Sequence, residues 1–278
     1  MALYGGRCGC QKERITMATT PEGRKSSLTN LRVEPGYKRV AAAIEEQILN
    51  GQMTAGEVLP TETELSEILG VHRSTVREGI RALENAGLVQ RGAGKRLRVS
   101  VPEMSAVSSV VTRALGMKQV SFFELWEMQM QLEPFAAKLA AERIDPKIAQ
   151  ALQDNVTALR QNLYDDDFVI QNDIEFHQLI AQAAKNPVLS MSTAPIGALL
   201  FSATVNLYSQ VNQARHRLLA AHEFILAAIV EKDIKAAETW MTRHIKDFQR
   251  GYAMSGVDFH APIPLDPRAL RFVEWGSF

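Results

Sequence analysis

The sequence predicts a mainly α fold in two parts: a small N-terminal helical unit finished by a β-hairpin, then an all-α helical bundle. Three observations carry that expectation. Between residues 55 and 99 a capped helix, a tight turn, a basic helix and a Gly-rich basic hairpin follow one another without a break. From about residue 104 the chain changes to long amphipathic or wholly apolar stretches without strand alternation, parted by breakers such as Asp145-Pro146, Asn186-Pro187 and Lys232-Asp233. A length of 278 residues is ample for two domains of ordinary size.

Residues 1–32 are polar, rich in Arg, Lys, Ser and Thr, and lack helical periodicity, so they are expected to be disordered. Cys8 and Cys10 are the only two cysteines and stand too close for an ordinary structural disulfide or a CxxC redox pair. Met17 is a candidate alternative translation start. The first unit is expected over residues 33–101. One of its helices starts after Pro60 with Thr61 as N-cap and Glu64 three residues on, the spacing of a capping box, and its apolar positions are Leu65, Ile68 and Leu69. Gly70 and Val71 make the turn. The next helix is expected to open near Ser74 or Thr75, where Thr75 and Glu78 repeat the capping spacing. Val76, Ile80 and Leu83 then form its core stripe.

Beside that stripe Arg73, Arg77 and Arg81 recur every four residues along one flank. Between Arg73 and Arg98 there are seven Lys or Arg against two acids. In isolation such a run reads as a solvated helix face. Here it continues into a hairpin, with strands expected at 88–90 and 96–99, whose Arg91, Lys95, Arg96 and Arg98 have no packing reason to be basic. Guanidinium forks match phosphate oxygens and guanine edges. The order of elements is that of a winged helix-turn-helix with a β-hairpin wing.

These residues resemble the GntR superfamily of bacterial transcription regulators. The resemblance is carried by Tyr37, Val40, Ile44, Ile48, Gly51, the runs GEVLPTETELSEILGV and RSTVREGIRALENAGLV, and the Gly94 wing. It implies DNA contacts from Arg73, Ser74, Thr75 and Arg77 on the recognition helix and from Gly94 and Lys95 in the wing. Ala55 stands where the family usually has Pro, and His72 where it usually has Ser; the second departure touches the entrance of the recognition helix.

Apolar residues make up 46% of the chain and charged residues 22%, ordinary values for a globular protein with a sizeable core. Lys plus Arg and Asp plus Glu both total 31, so the basic charge is local and argues for one docking surface. The absence of a long apolar run and of a signal-peptide h-region leads to the expectation of a cytoplasmic protein with no membrane partner.

The helical domain is expected over residues 104–254, followed by an extended tail over 255–278 containing Pro262, Pro264 and Pro267, with Phe272, Val273 and Trp275 able to dock. Pro134 is expected to kink or restart its helix. Trp126, Phe122, Phe123, Met128 and Met130 read as core or dimer packing rather than as an apolar ligand pocket. Of six histidines, three draw notice. Asp173 and His177 lie four apart on one helix face, a spacing that suits two ligands to one ion, and His222 and His244 lie in separate helices that antiparallel packing could bring alongside. Taken singly, each is more often a hydrogen-bonded core histidine than a ligand.

A second resemblance covers residues 121 to 250, which are similar to the FCD ligand-binding domain of the FadR subfamily through LEPFAAKLAAER, DIEFHQLIAQAAKNPVL, HEFILAAI and AAETWMTRHI. It implies a divalent metal ion on Asp173, His177, His222 and His244. Three imidazoles and a carboxylate suit zinc first, with nickel, manganese or iron as alternatives. Gln129 stands where many FCD members place an effector-binding Arg, which implies either a less anionic effector or one whose carboxylate relies on the metal or on another cation such as Arg215 or Arg217. The expected function is a ligand-responsive repressor that binds a palindromic double-stranded operator as a homodimer and senses a small organic acid at the metal, not an enzyme. The competing readings are a metal-dependent hydrolase, for which Glu175 and Glu223 are the nearest candidate bases, and a regulator whose metal site is purely structural.

Overall fold

The computed structural model describes residues 34–211 and 213–268. The expectations for Cys8, Cys10, Met17, Phe272, Val273 and Trp275 therefore lie outside the described residues. The N-terminal unit contains α1 (Gly36–Leu49), α2 (Glu62–Leu69), α3 (Arg73–Asn85), β1 (Val89–Arg91) and β2 (Leu97–Val99). The bundle contains α4 (Met104–Met117), α5 (Phe122–Arg143), α6 (Pro146–Gln161), α7 (Asp166–Ala183), α8 (Pro187–Gln210), α9 (Ala214–Val230) and α10 (Ile234–Met254).

Thr61 caps α2 with the full reciprocal box: its hydroxyl accepts from the Glu64 N–H, and Glu64 Oε2 accepts from the Thr61 N–H at 2.7 Å. Gly70 ends the helix in the left-handed region at φ 63°, where a Cβ would be strained. His72 is extended and is the N-cap of α3, without a side-chain cap bond. The expected second capping box is therefore absent. Thr75 already lies within the first turn, and its N–H goes back to the His72 carbonyl at 2.9 Å. Val76, Ile80 and Leu83 are buried against Val40, Ile44, Leu59 and Leu65. Each such aliphatic side chain contributes about 1.5–3 kcal/mol on burial. Ile68, expected in this core, is 69% exposed. It stands directly before Leu69, about 100° round the helix from it, and falls on the outer side because an eight-residue helix has only one face to bury.

β1 and β2 pair antiparallel in the register Val89↔Val99 and Arg91↔Leu97, one residue later at the first strand than the sequence suggests. The segment before α2 adds to the outer edge of β2, with Leu59 N–H to the Leu97 carbonyl and Val99 N–H to the Glu57 carbonyl, both 2.9 Å.

In the bundle, α5 runs unbroken through Pro134. The missing N–H removes one helical bond, while Ala136, Ala137, Ala140 and Ala141 pack tightly into the core that α6, α7, α9 and α10 share. Asp145, Asn186 and Asp233 cap the helices that follow them, which is why the breakers read from sequence fall at helix starts. The helix α8 is long and apolar, with a mean hydropathy of 1.6 over its most apolar window. Its Leu189, Ile196, Leu199 and Phe201 are buried inside the bundle. Phe122 is core, stacked on Tyr252 with centroids 4.0 Å apart, and Met128 is half exposed.

The described part of the expected tail is non-helical up to residue 266 but is not free of the bundle. Ile263 is buried and its N–H bonds the Val120 carbonyl at 2.9 Å; the Phe259 carbonyl accepts from the Phe123 N–H at 3.0 Å. Ser202 Oγ donates to the Pro264 carbonyl at 2.7 Å.

Candidate metal centre and nucleic-acid interface

On α3, Arg73, Ser74 and Arg77 are exposed, while Thr75 is half-buried with its methyl close to Gly36. Gly94 and Lys95 form the exposed wing tip, with Lys95 at φ 60°. Arg77 Nε donates to Glu62 Oε2 at 3.2 Å. Arg91 reaches the same carboxylate at 3.5 Å and Glu84 at 3.0 Å, so Glu62 links the recognition helix to the wing. Sequence reading missed Glu62, whose only signal was its place as the first residue of α2. Each of these surface pairs is worth little in energy; their effect is to tie two guanidinium groups to one carboxylate.

Asp173 and His177 project from α7, His222 from α9 and His244 from α10, and one ligand atom from each lies within 4.8 Å of all the others. His177 Nε2 faces His244 Nε2 at 3.1 Å and Asp173 Oδ1 at 3.6 Å; His222 Nε2 lies 3.1 Å from the same carboxylate oxygen. His222 is fully buried, with Phe176 stacked on its ring at 3.7 Å. Asp173 Oδ1 and His222 Nε2 are buried without an aligned hydrogen bond among the described residues. A largely buried set of three ring nitrogens and one carboxylate oxygen, two of whose facing atoms lack a hydrogen bond, fits a divalent cation with nitrogen and oxygen preference. The Asp/His cluster is compatible with a metal site.

The titration of the cluster follows from its burial and charges. Burial would raise the Asp173 carboxyl, but the adjoining His177 and His222 rings more than reverse this and hold it far below the usual range. Burial opposes protonation of His177, yet Glu133 and Asp173 push it up to about 10. His222 is lowered by burial, and His244 is lowered further by burial and by the neighbouring rings.

Glu133 was not read from sequence as part of the site. It is 4% exposed, its carboxylate contacts His177 Nδ1, and its other oxygen accepts from Gln129 Nε2 at 3.2 Å. A carboxylate on the far nitrogen of a ligating imidazole fixes its tautomer and raises its basicity. Gln129 lines the cavity above the cluster together with Thr204, Tyr208 and Phe248. Arg215 does not: its guanidinium pairs with Asp166 and reaches the Tyr208 carbonyl, and Arg217 pairs with Asp247 at 2.8 Å. Those two arginines serve helix packing because acids within reach already claim them. The cavity volume is about 40 Å³. Glu175 accepts from Asn155 and Glu223 from Arg160, so neither acid proposed as a hydrolytic base serves the cluster.

The fold agrees with what this chain is similar to. Residues 36–99 match the model of bacterial regulatory proteins of the gntR family, and residues 124–247 match the FCD domain. The HTH-type transcriptional regulator YcbG of Bacillus subtilis is 30% identical, over 80% of this chain and 91% of that protein. The HTH-type transcriptional repressor NanR of Cronobacter sakazakii is 26% identical, over 74% of this chain and 81% of that protein. Among solved structures, a GntR protein of Streptococcus agalactiae superposes with a TM-score of 0.53 at 26% identity, covering 77% of this chain and 99% of that one. With the two halves matched in order and regulators as relatives, the chain belongs to the GntR family of bacterial regulatory proteins, as a transcriptional regulator with a DNA-binding helix-turn-helix head and an FCD domain.

Proposed function

We propose that this regulator is a cytoplasmic repressor that binds a palindromic operator as a homodimer and responds to a small organic acid at a divalent metal ion, zinc before nickel, manganese or iron. Asp173, His177, His222 and His244 hold the ion. The observation that carries the reading is the convergence of these four ligand atoms, drawn from three helices, beneath Gln129. Bound there, the ion supplies open coordination positions for an acid's carboxylate. Among the described residues the cavity wall carries Glu133 and Asp173 and no Lys or Arg. An anion therefore binds only against the ion's charge. Gln129, uncharged, orients the acid by hydrogen bonding.

Arg73, Ser74, Thr75 and Arg77 on the recognition helix contact bases and phosphates, with Gly94 and Lys95 at the minor-groove side. Two-fold pairing of the chain matches a palindrome, since one short helix and a wing discriminate weakly alone. Relatives named as repressors support the sign of regulation.

Elemental analysis of the purified chain beside an Asp173→Ala/His177→Ala double variant tests the site, with a thermal-shift series of small organic acids on both. One ion per wild-type chain and an acid that stabilises only the wild type are expected. A metal-free wild type, or equal stabilisation of both proteins, would remove the metal-sensing reading and leave the family assignment untouched.

A further inference from the structure

Away from the ligand cluster, a groove of about 450 Å³ runs between α4, α7 and the start of α8. That is an order of magnitude more room than the cavity over the metal ligands, and it falls in the range that holds whole small molecules. Its walls are mostly apolar, with Met104 on one side and Ala181 on the other, and a few polar groups converge between them. Ser108 is 3% exposed and its hydroxyl has no hydrogen-bond partner among the described residues, an unusual state for a buried donor. Gln178, half-buried, and Gln182, exposed at the rim, also line the groove.

Charge narrows the class of occupant. Lys185 is the one charged residue among the described residues of the lining. It is held only by a half-exposed pair with Asp145 at 3.3 Å, which is weak enough to exchange for a better partner. The start of the 24-residue helix α8 adds partial positive charge at the same end.

We propose that this groove is a second small-molecule site, for a compound with a compact apolar body and a single anionic head. The body lies against Met104 and Ala181. The head lies towards Lys185, with Gln182 and Ser108 donating to it. The position gives the site a use: α4 continues directly from the DNA-binding unit, and α7 carries Asp173 and His177. A molecule wedged between them touches both the reading head's connection and the metal-ligand helix. The site does not depend on the ion.

The test uses 8-anilinonaphthalene-1-sulfonate, an apolar body with one sulfonate, titrated by fluorescence and calorimetry into the full chain. Saturation at one probe per chain is expected, unchanged in His177→Ala and after chelation. Gln182→Glu should weaken binding about tenfold, Gln182→Lys should strengthen it, and Ala194→Trp, which fills the half-buried wall of the groove, should abolish it. Equal affinity in wild type, Gln182→Glu and Ala194→Trp would overturn the assignment. So would a stoichiometry that falls as protein concentration rises, because a second copy would then be what fills the groove.

Discussion

His177 has a carboxylate at each ring nitrogen, Glu133 on Nδ1 and Asp173 toward Nε2, and this explains why its proton is held so far above the ordinary imidazole range. In the metal-free protein at neutral pH the ring is therefore an imidazolium, while burial keeps His222 and His244 neutral. An ion binding to Nε2 must displace one proton, so calorimetric titration of metal in buffers of different ionisation enthalpy should show release of about one proton per ion. A buffer-independent heat would mean that His177 is neutral in the free site. The same shift fixes the sign of a pH effect. The folded value of about 10 exceeds the unfolded one, so this group's stabilisation of the metal-free protein is complete below about pH 6.5 and is lost as pH rises through about 10. Melting temperatures of the chelated wild type should fall over that window more than those of His177→Ala. Glu133→Gln keeps the shape but loses the charge on Nδ1, and should weaken metal binding about 10–100-fold in a competition titration with a chelating dye. Glu133 was invisible as a site residue in the sequence because a glutamate in a helix is ordinarily solvated. Only the packing of α5 against α7 shows that this one is not.

Local interactions were legible and tertiary ones were not. The Thr61–Glu64 box forms because both partners lie within one turn. The Thr75–Glu78 pair has the same spacing but fails, since the turn after Gly70 starts α3 at Arg73 and leaves Thr75 inside the helix. The docking of Ile263 and Phe259 beside α5 was hidden because burial of a proline-rich segment depends on a surface that sequence does not display. The α1–α3 contact is similarly close: a Cβ on Gly79 would meet Val40 Cγ1 at 2.8 Å and the Tyr37 carbonyl at 3.0 Å. Gly79→Ala should therefore destabilise the DNA-binding unit by about 1–3 kcal/mol in denaturant unfolding. The connecting helix α4 is built the other way round from most surface helices. Ser108, Ser109 and Thr112 face inward, buried and unpartnered among the described residues, whereas Val110 is 64% and Met117 85% exposed. Burying hydroxyls gains little, so the α4 amides should exchange with deuterium well before those of α5 and α7 in the isolated chain.

At the scale of the whole molecule, the DNA-binding surface and the ligand cluster lie in separate cores, one around Val76 and Ile80 and one around Phe176 and Ile225. Arg77→Ala should lower operator affinity by about 1–3 kcal/mol in a binding titration at fixed salt, without changing the melting temperature of the bundle. That separation was readable from the sequence, because the basic run and the histidines sit in stretches of different character. The convergence of α7, α9 and α10 on one point was not, since periodicity places residues on a helix face but does not say which faces meet. That convergence has a mechanical meaning. An ion held by side chains from three helices acts as a removable cross-link between remote stretches of chain, tying the middle of the bundle to its end. With the proposed ion in place, the bundle's resistance to heat becomes a function of metal activity: a titration with chelator should lower its melting temperature continuously, as withdrawing a bolt loosens three beams at once.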